Sequence, residues 1–216
     1  MNAAAPRLRV TRYPGTLSYA EGYARQLEAV ERLRDPANRV AELLVLEHAP
    51  VYTLGRMTQP SHLPLDEPAL RASGAEVVRI DRGGSVTYHG PGQLTAYLLL
   101  HLKAWNLTIH QHLWNLEEIA LRTLRHFELD GRRVDGMTGV WAGEAKVCAV
   151  GVGCRKWIAY HGLSLNVNLD LAPFARIDPC GLGRRPVTTL AALCGRPVAL
   201  DEAAAALEAS TRRVLS

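Results

Sequence analysis

Cys180 is the residue best placed for covalent chemistry. It lies in Ile177-Asp178-Pro179-Cys180-Gly181, where a proline before and a glycine after keep it out of a helix or strand interior. A thiolate there would be a nucleophile. An ordinary thiol, with a pKa of about 8.5, is only a few per cent thiolate at neutral pH, so that role needs a base or a cation alongside. Without one, Cys180 is a half-buried loop thiol. Lys146 opens the apolar run Val147-Cys148-Ala149-Val150-Gly151-Val152. Facing water, it would simply blunt a strand edge. Desolvated, it could act as a base or as the charge partner of a thiolate.

A third candidate is the stretch Arg82-Gly83-Gly84-Ser85-Val86-Thr87-Tyr88-His89-Gly90-Pro91-Gly92-Gln93, between two apolar runs. Glycine loses the most backbone freedom on folding. Such a loop is therefore either punctuation or a place where backbone comes close to a ligand. Arg82, Thr87, Tyr88 and His89 favour a ligand. No Gly-Lys-Ser/Thr follows and GxGxxG is absent, so a phosphate cradle lacks support. His89 is the histidine best placed to touch a substrate, against the alternative of a structural hydrogen bond. His48 and His161 share no metal-ligand spacing with it. Cys148 and Cys154, flanking a strand, are expected to be buried, and Cys194 to be structural.

The elements that must position these residues follow from pattern. Arg7 to Tyr13 reads as a strand. Ser18 to Glu21 fits a capping box opening a helix to about Arg34. Leu43–His48, Val51–Arg56 and Glu76–Asp81 read as strands, with a short helix at Glu67 to Ala72. Leu94 to Leu100 follows the glycine loop as a strand, and His110 to Phe127 carries helical spacing. Three short strands come next: Gly139–Ala142, Lys146–Val152 and Tyr160–Leu169. In the last, Leu163, Leu165, Val167 and Leu169 alternate with Ser164, Asn166 and Asn168, the pattern of a half-buried strand. Asp201 is expected to cap a final helix ending near Leu215. Strands in consecutive runs predict an α+β fold with mixed sheets and packed helices rather than alternating βαβ units. Residues 1–216 read as a single domain.

Composition narrows the function classes. A hydrophobic share of 48% and a charged share of 21% suit a globular domain. No run approaches the ~18 apolar residues of a membrane span, and the N-terminus lacks a secretory signal, so cytoplasm is the expected location. The four cysteines form no CxxC pair, which argues against a zinc site. The net charge of +4 favours acidic partners. The basic pairs are scattered without interleaved aromatics, so no nucleic-acid partner is expected.

Taken together, these motifs resemble one family. Arg82 to Gln93, Gly143-Glu144-Ala145-Lys146-Val147-Cys148-Ala149-Val150-Gly151, Tyr160-His161-Gly162-Leu163-Ser164-Leu165-Asn166-Val167-Asn168 and Ile177 to Gly181 occur in the order and spacing of the lipoyl(octanoyl) transferases of lipoate biosynthesis, from about Leu43 to Leu190. The resemblance implies a fold like the catalytic domains of biotin and lipoate protein ligases, with an apolar acyl tunnel. It implies that Cys180 carries the acyl group and that Lys146 lowers its pKa. It implies that Arg82, Gly83, Gly84, Ser85, Val86, Thr87, Tyr88, His89, Ala149, Val150, Gly151, Gly162, Leu163 and Ser164 line the substrate site. Octanoyl-acyl carrier protein would be the donor. Lipoyl domains of 2-oxoacid dehydrogenases and the glycine cleavage H protein would be acceptors. The enzyme would be a monomer with neither cofactor nor metal. Arg184 and Arg185 would help dock the carrier. The rivals are an ATP-dependent lipoate or biotin ligase, an amidotransferase between lipoyl domains, and a non-catalytic acyl or carrier-protein binder.

Overall fold

In the computed structural model, residues 7–37, 39–179 and 185–216 are described. Its strands are β1 (Arg7–Leu17), β2 (Val40–His48), β3 (Val51–Leu54), β4 (Glu76–Arg79), β5 (Val86–His89), β6 (Gln93–His101), β7 (Arg132–Val134), β8 (Met137–Ala142), β9 (Ala145–Arg155) and β10 (Ile158–Asn166). Its α-helices are α1 (Tyr19–Arg32), α2 (Glu67–Ala72), α3 (Ile109–His126), α4 (Leu190–Cys194) and α5 (Leu200–Leu215). A seven-stranded sheet runs β1-β2-β6-β10-β9-β8-β7, and a three-stranded sheet runs β4-β3-β5. In each sheet one pair is parallel, β1 with β2 and β3 with β4, so both are mixed as expected.

Alternation along β6 sets the layers. Leu94, Ala96, Leu98 and Leu100 point into the main core, which α3 and α5 cover. Tyr97 and Leu99 pack with Ala29 and Val30 of α1, and with Leu33 just after it, on the opposite face. The rest of that face meets the small sheet, whose own core joins Tyr52, Leu54 and Tyr88 to Phe174 and Ile177.

The predicted capping box of α1 is present. The Ser18 hydroxyl accepts from the Glu21 amide at 3.2 Å, and the Glu21 carboxylate accepts from the Ser18 amide at 2.9 Å. Helix α2 also matches its expected range. Several expectations need correction. The glycine segment is not loop throughout, because Val86–His89 pairs antiparallel with β3. Asp201 lies in the first turn of α5 and not at its cap, which is Ala199. The helix starts early because Val198 is buried and the Asn168 side chain holds its amide at 3.3 Å. Cys148 is buried, whereas Cys154 is exposed. It sits where β9 runs out into the tight turn at Lys156 and Trp157, both with positive φ.

Strand β10 is buried on both faces, not one. Ser164 and Asn166 belong to the face that the small sheet covers. The main-sheet face left between α1 and the small sheet is where the candidate site lies.

Candidate active site

The floor of the site is a ladder of small and polar residues. Tyr97 pairs with Gly162, Thr95 with Ser164 and Gln93 with Asn166. On the other edge of β10, Gly162 pairs with Gly151 and Ser164 with Ala149. The Gln93 amide ties this floor to the roof. It donates to Asn166 Oδ1 at 2.8 Å and to the Tyr88 carbonyl at 3.2 Å, while its Oε1 accepts from His89 Nδ1 at 2.7 Å.

The glycine segment lies flat on this sheet. The Gly83 amide donates to the Val152 carbonyl at 2.8 Å. A side chain at Gly151 would bring a Cβ within 3.1 Å of both Arg82 Cδ and the Gly83 oxygen. One at Gly162 would bring a Cβ within 2.2 Å of the Ala96 carbonyl oxygen. Gly162→Ala is expected to cost about 2–4 kcal/mol of stability, because the clash is with backbone that cannot rotate away. Urea denaturation checks this, and a loss below about 1 kcal/mol would show that the strands part easily.

Arg82 is enclosed. It donates to the Thr53 carbonyl and hydroxyl, both at 2.9 Å, and to its neighbour Gly83 at 3.0 Å. None of these acceptors is a carboxylate, and burial lowers its pKa to about 10. It remains cationic at neutral pH. His89 is buried and neutral, with its pKa lowered to about 3 by burial and by nearby His48 and Arg82. It holds the wall through Gln93 and Thr53, so its structural hydrogen bond and its place in the site coexist.

Together these residues bound a narrow cavity of about 90 Å3, open at its mouth. Arg82, Gly84, Ser85, Val86, Thr87, His89, Ala149, Val150, Gly151, Gly162, Leu163 and Ser164 line it, with Lys146. Gly83 lines an adjoining groove. Tyr88 lines neither and turns into the small-sheet core against Tyr52 and Phe174. The expected apolar tunnel is only partly so. Ile80, Val86, Val150, Leu163, Phe174 and Val187 form apolar wall, but Tyr19, Thr87, Gln93 and Thr95 line it too. The leucines of the surrounding strands face the helices instead.

Lys146 is half-buried at the start of β9, its Nζ 4.8 Å from the Trp141 ring centroid. Gly139 leaves room for it, since a Cβ there would lie 2.5 Å from Lys146 Cε. The returning chain locks its backbone, with the Lys146 amide donating to Pro186 and its carbonyl accepting from the Thr188 amide, both at 2.9 Å. Pro179 lines both cavities with Lys146. Cys180 and Arg184 lie outside the described residues. Cys148 is unsuited to nucleophilic work, because burial pushes its thiol up to about 12. Among the described residues, no three His, Cys, Asp or Glu side chains converge to hold a metal, and no helix is long and apolar enough to cross a membrane.

The sequence reading omitted Tyr19, Gln93, Thr95, Tyr97, Thr138 and Asn166 from the lining. It also omitted the support of His161. That residue has a φ of 63° within β10, a conformation costly for a side chain other than glycine. Buried Gln26 accepts from its amide at 2.8 Å, and His161 Nε2 donates to Asp81 at 3.2 Å. The Tyr160 hydroxyl also donates to Asp81. His161 first and then Tyr160 hold the Asp81 carboxyl down at about 2. Its contribution to stability is present above about pH 4, the ordinary carboxylate range, and is lost as pH falls toward 2. Asp81→Asn is expected to lower stability at pH 7 by about 1 kcal/mol, the scale of a weakened charge-assisted hydrogen bond at a half-exposed group, as urea unfolding would read. An unchanged midpoint would contradict it.

Residues 18–212 match the family described as the lipoyl protein ligase A/B catalytic domain. An octanoyltransferase of Rubrobacter xylanophilus is 44% identical over 211 residues, 96% of this chain and 94% of that protein. One from Thermosynechococcus vestitus is 44% identical over 180 residues, 83% of this chain and 78% of that protein. A bipartite lipoate protein ligase from Thermoplasma acidophilum superposes with a TM-score of 0.75 at 20% identity, covering 98% of this chain and 84% of that one, which speaks to fold alone.

Proposed function

This chain belongs to the lipoyl protein ligase A/B catalytic-domain family and is an acyltransferase that moves an octanoyl group in lipoate biosynthesis, and we propose that it does so through a thioester on Cys180. The observation that carries this reading is the junction at Lys146. The cavity and the adjoining groove meet there, beside the proline that precedes Cys180 in sequence. The whole of residues 1–216 acts as one transferase domain in the cytoplasm, as a monomer.

In the first half-reaction the Cys180 thiolate attacks the carbonyl carbon of octanoyl-acyl carrier protein. The new C–S bond forms, the carrier's C–S bond breaks, and the carrier leaves as a thiol after taking a proton from the Lys146 ammonium, which becomes neutral. One thioester replaces another, so no nucleotide is consumed. In the second, the lysine amine of a lipoyl domain attacks the acyl-enzyme. An amide forms, Cys180 leaves as thiolate, and Lys146 accepts the proton that the amine gives up. Thioester to amide is downhill and draws the sequence forward. Lys146 as ammonium favours the resting thiolate, as a cation beside a thiol does. The acyl chain runs along the Thr95–Ser164–Ala149 floor under Val86 and Phe174. Arg82, a buried cation with only neutral acceptors, is a donor available to a polar atom of the substrate.

Intact mass spectrometry after mixing with octanoyl-acyl carrier protein, without ATP, tests this. One octanoyl adduct is expected, discharged by an apo lipoyl domain. Transfer that requires ATP and leaves no adduct would favour an adenylate-forming ligase and remove the reading.

A further inference from the structure

The adjoining groove has a volume of about 480 Å3 and shares Gly84, Ser85, Thr138, Lys146, Val150, Gly151 and Pro179 with the acyl cavity. Its outer walls come from residues that the acyl cavity does not use. Arg56 and Met57 follow β3, Ile109 and Leu113 begin α3, and Met137 opens β8. Met57 is 67% exposed. Two thioethers and two aliphatic side chains make an adaptable apolar trough.

Charge in this trough has one sign. Among the described residues no Asp or Glu lines it, whereas Arg56 and Lys146 do. The exposed Arg56 side chain has no hydrogen bond or ion pair among the described residues. Its backbone is fixed, the amide donating to the Arg82 carbonyl at 3.1 Å. The backbone of Arg56 is therefore held at the groove, and its exposed guanidinium keeps its donors unspent.

Two substrates must reach Lys146, and they differ in charge. The acceptor brings a lysine on four methylenes, cationic until it reacts. A groove with two cations and no carboxylate disfavours it, and so short a side chain needs no long trough. The donor brings its acyl group on a long thiol arm, apolar and amide-rich, linked to the carrier through a phosphate. We infer that the groove receives this arm, with Arg56 on its phosphate and Met57, Leu113 and Met137 along its length. The inference rests on the acyl-enzyme reading above, which makes the donor arm the first substrate to arrive.

The test compares acyl-enzyme formation from S-octanoyl-4′-phosphopantetheine and from S-octanoyl-pantetheine, which differ by one phosphate. The wild-type enzyme is expected to prefer the phosphorylated donor in kcat/KM. Arg56→Ala is expected to lower that preference about tenfold, the size of one charge-assisted hydrogen bond at a partly wet site, and Arg56→Lys to restore much of it. Raised salt is expected to shrink the wild-type preference. If the preference survives in Arg56→Ala while both donors still acylate the enzyme, the groove assignment fails and the acyl-enzyme stands. If Arg56→Ala slows only discharge to the acceptor, the groove belongs to the acceptor and the inference is overturned. If the wild-type enzyme acylates with neither these donors nor the carrier protein, the acyl-enzyme reading falls and takes this one with it.

Discussion

Cys180→Ser is expected to abolish the octanoyl adduct, and Lys146→Ala to slow its formation roughly 10²- to 10⁴-fold, the usual range for a positioned acid–base group. The two losses arise differently. Serine at 180 keeps the shape but has a hydroxyl that is scarcely ionised at neutral pH. Alanine at 146 leaves the cysteine in place but removes the cation and proton acceptor. The backbone bonds to Pro186 and Thr188 do not depend on the side chain, though the substitution also removes the ammonium from the Trp141 ring. Two measurements separate the roles. Acylation followed by intact mass gives the rate. Alkylation by iodoacetamide, mapped by peptide mass, gives thiolate character site by site. Exposed Cys154 serves as an internal reference, and buried Cys148 should stay unlabelled in the folded protein. In Lys146→Ala, Cys180 should fall from faster than Cys154 to about the same rate. Unchanged alkylation with slowed discharge would assign Lys146 to the acceptor's proton alone. Unchanged acylation would remove it from the mechanism.

Local signals carried much of this fold. The capping box at Ser18 and Glu21 and the range of α2 depend on neighbours within a few residues. The consecutive strands gave the mixed α+β class. What escaped was what covers a face. Leu163 and Leu165 alternating with Ser164 and Asn166 resembles a strand with one wet side. Yet both sides are buried, because the small sheet, built partly from a segment read as loop, lies over the polar one. The period-2 pattern reports that two faces differ in polarity and says nothing about whether the polar face meets water or a ligand. The same ambiguity hid Gln93, Thr95 and Tyr97, which alternate with Leu94, Ala96 and Leu98. The expected apolar tunnel erred for a related reason. Counting leucines near the motifs does not reveal that they point to the helices. Spacing also gave no hint that Gln26 holds the strained peptide of His161, since a contact across 135 residues leaves no local trace.

Acidification from pH 7 to pH 5 is expected to remove a large part of the stability of this protein, well before any carboxylate titrates. Three of the buried histidines are held neutral most firmly. Burial is the largest cause in each case, and it lowers His48 and His112 to about 4 and His89 to about 3, the last helped by His48 and Arg82. An unfolded chain holds its histidines near 6.5. Each folded value lies below that, so the neutral ring's contribution to stability is fully present above about pH 6.5. It is lost progressively as pH falls toward the folded values, because the unfolded state takes up protons that the native state refuses. Three such groups give a slope of up to about 4 kcal/mol per pH unit. A total stability of only about 5–15 kcal/mol cannot withstand that slope for long. His161, lowered by burial, loses stability in the same direction, opposed by Asp81 and aided by Arg82. The pocket feels this as well. His48 donates from Nδ1 to the Leu17 carbonyl at 3.2 Å and accepts from the Tyr97 hydroxyl at 2.6 Å, so protonating it breaks the bond that orients Tyr97 on the cavity wall. Urea denaturation at half-unit steps from pH 7.5 to 4.5 measures the slope. His112→Gln, on α3 and away from the cavity, should reduce it by about one third whatever the variant's stability at pH 7. A denaturation midpoint that stays level from pH 7 to 5 would mean that these rings reach water or a partner on protonation.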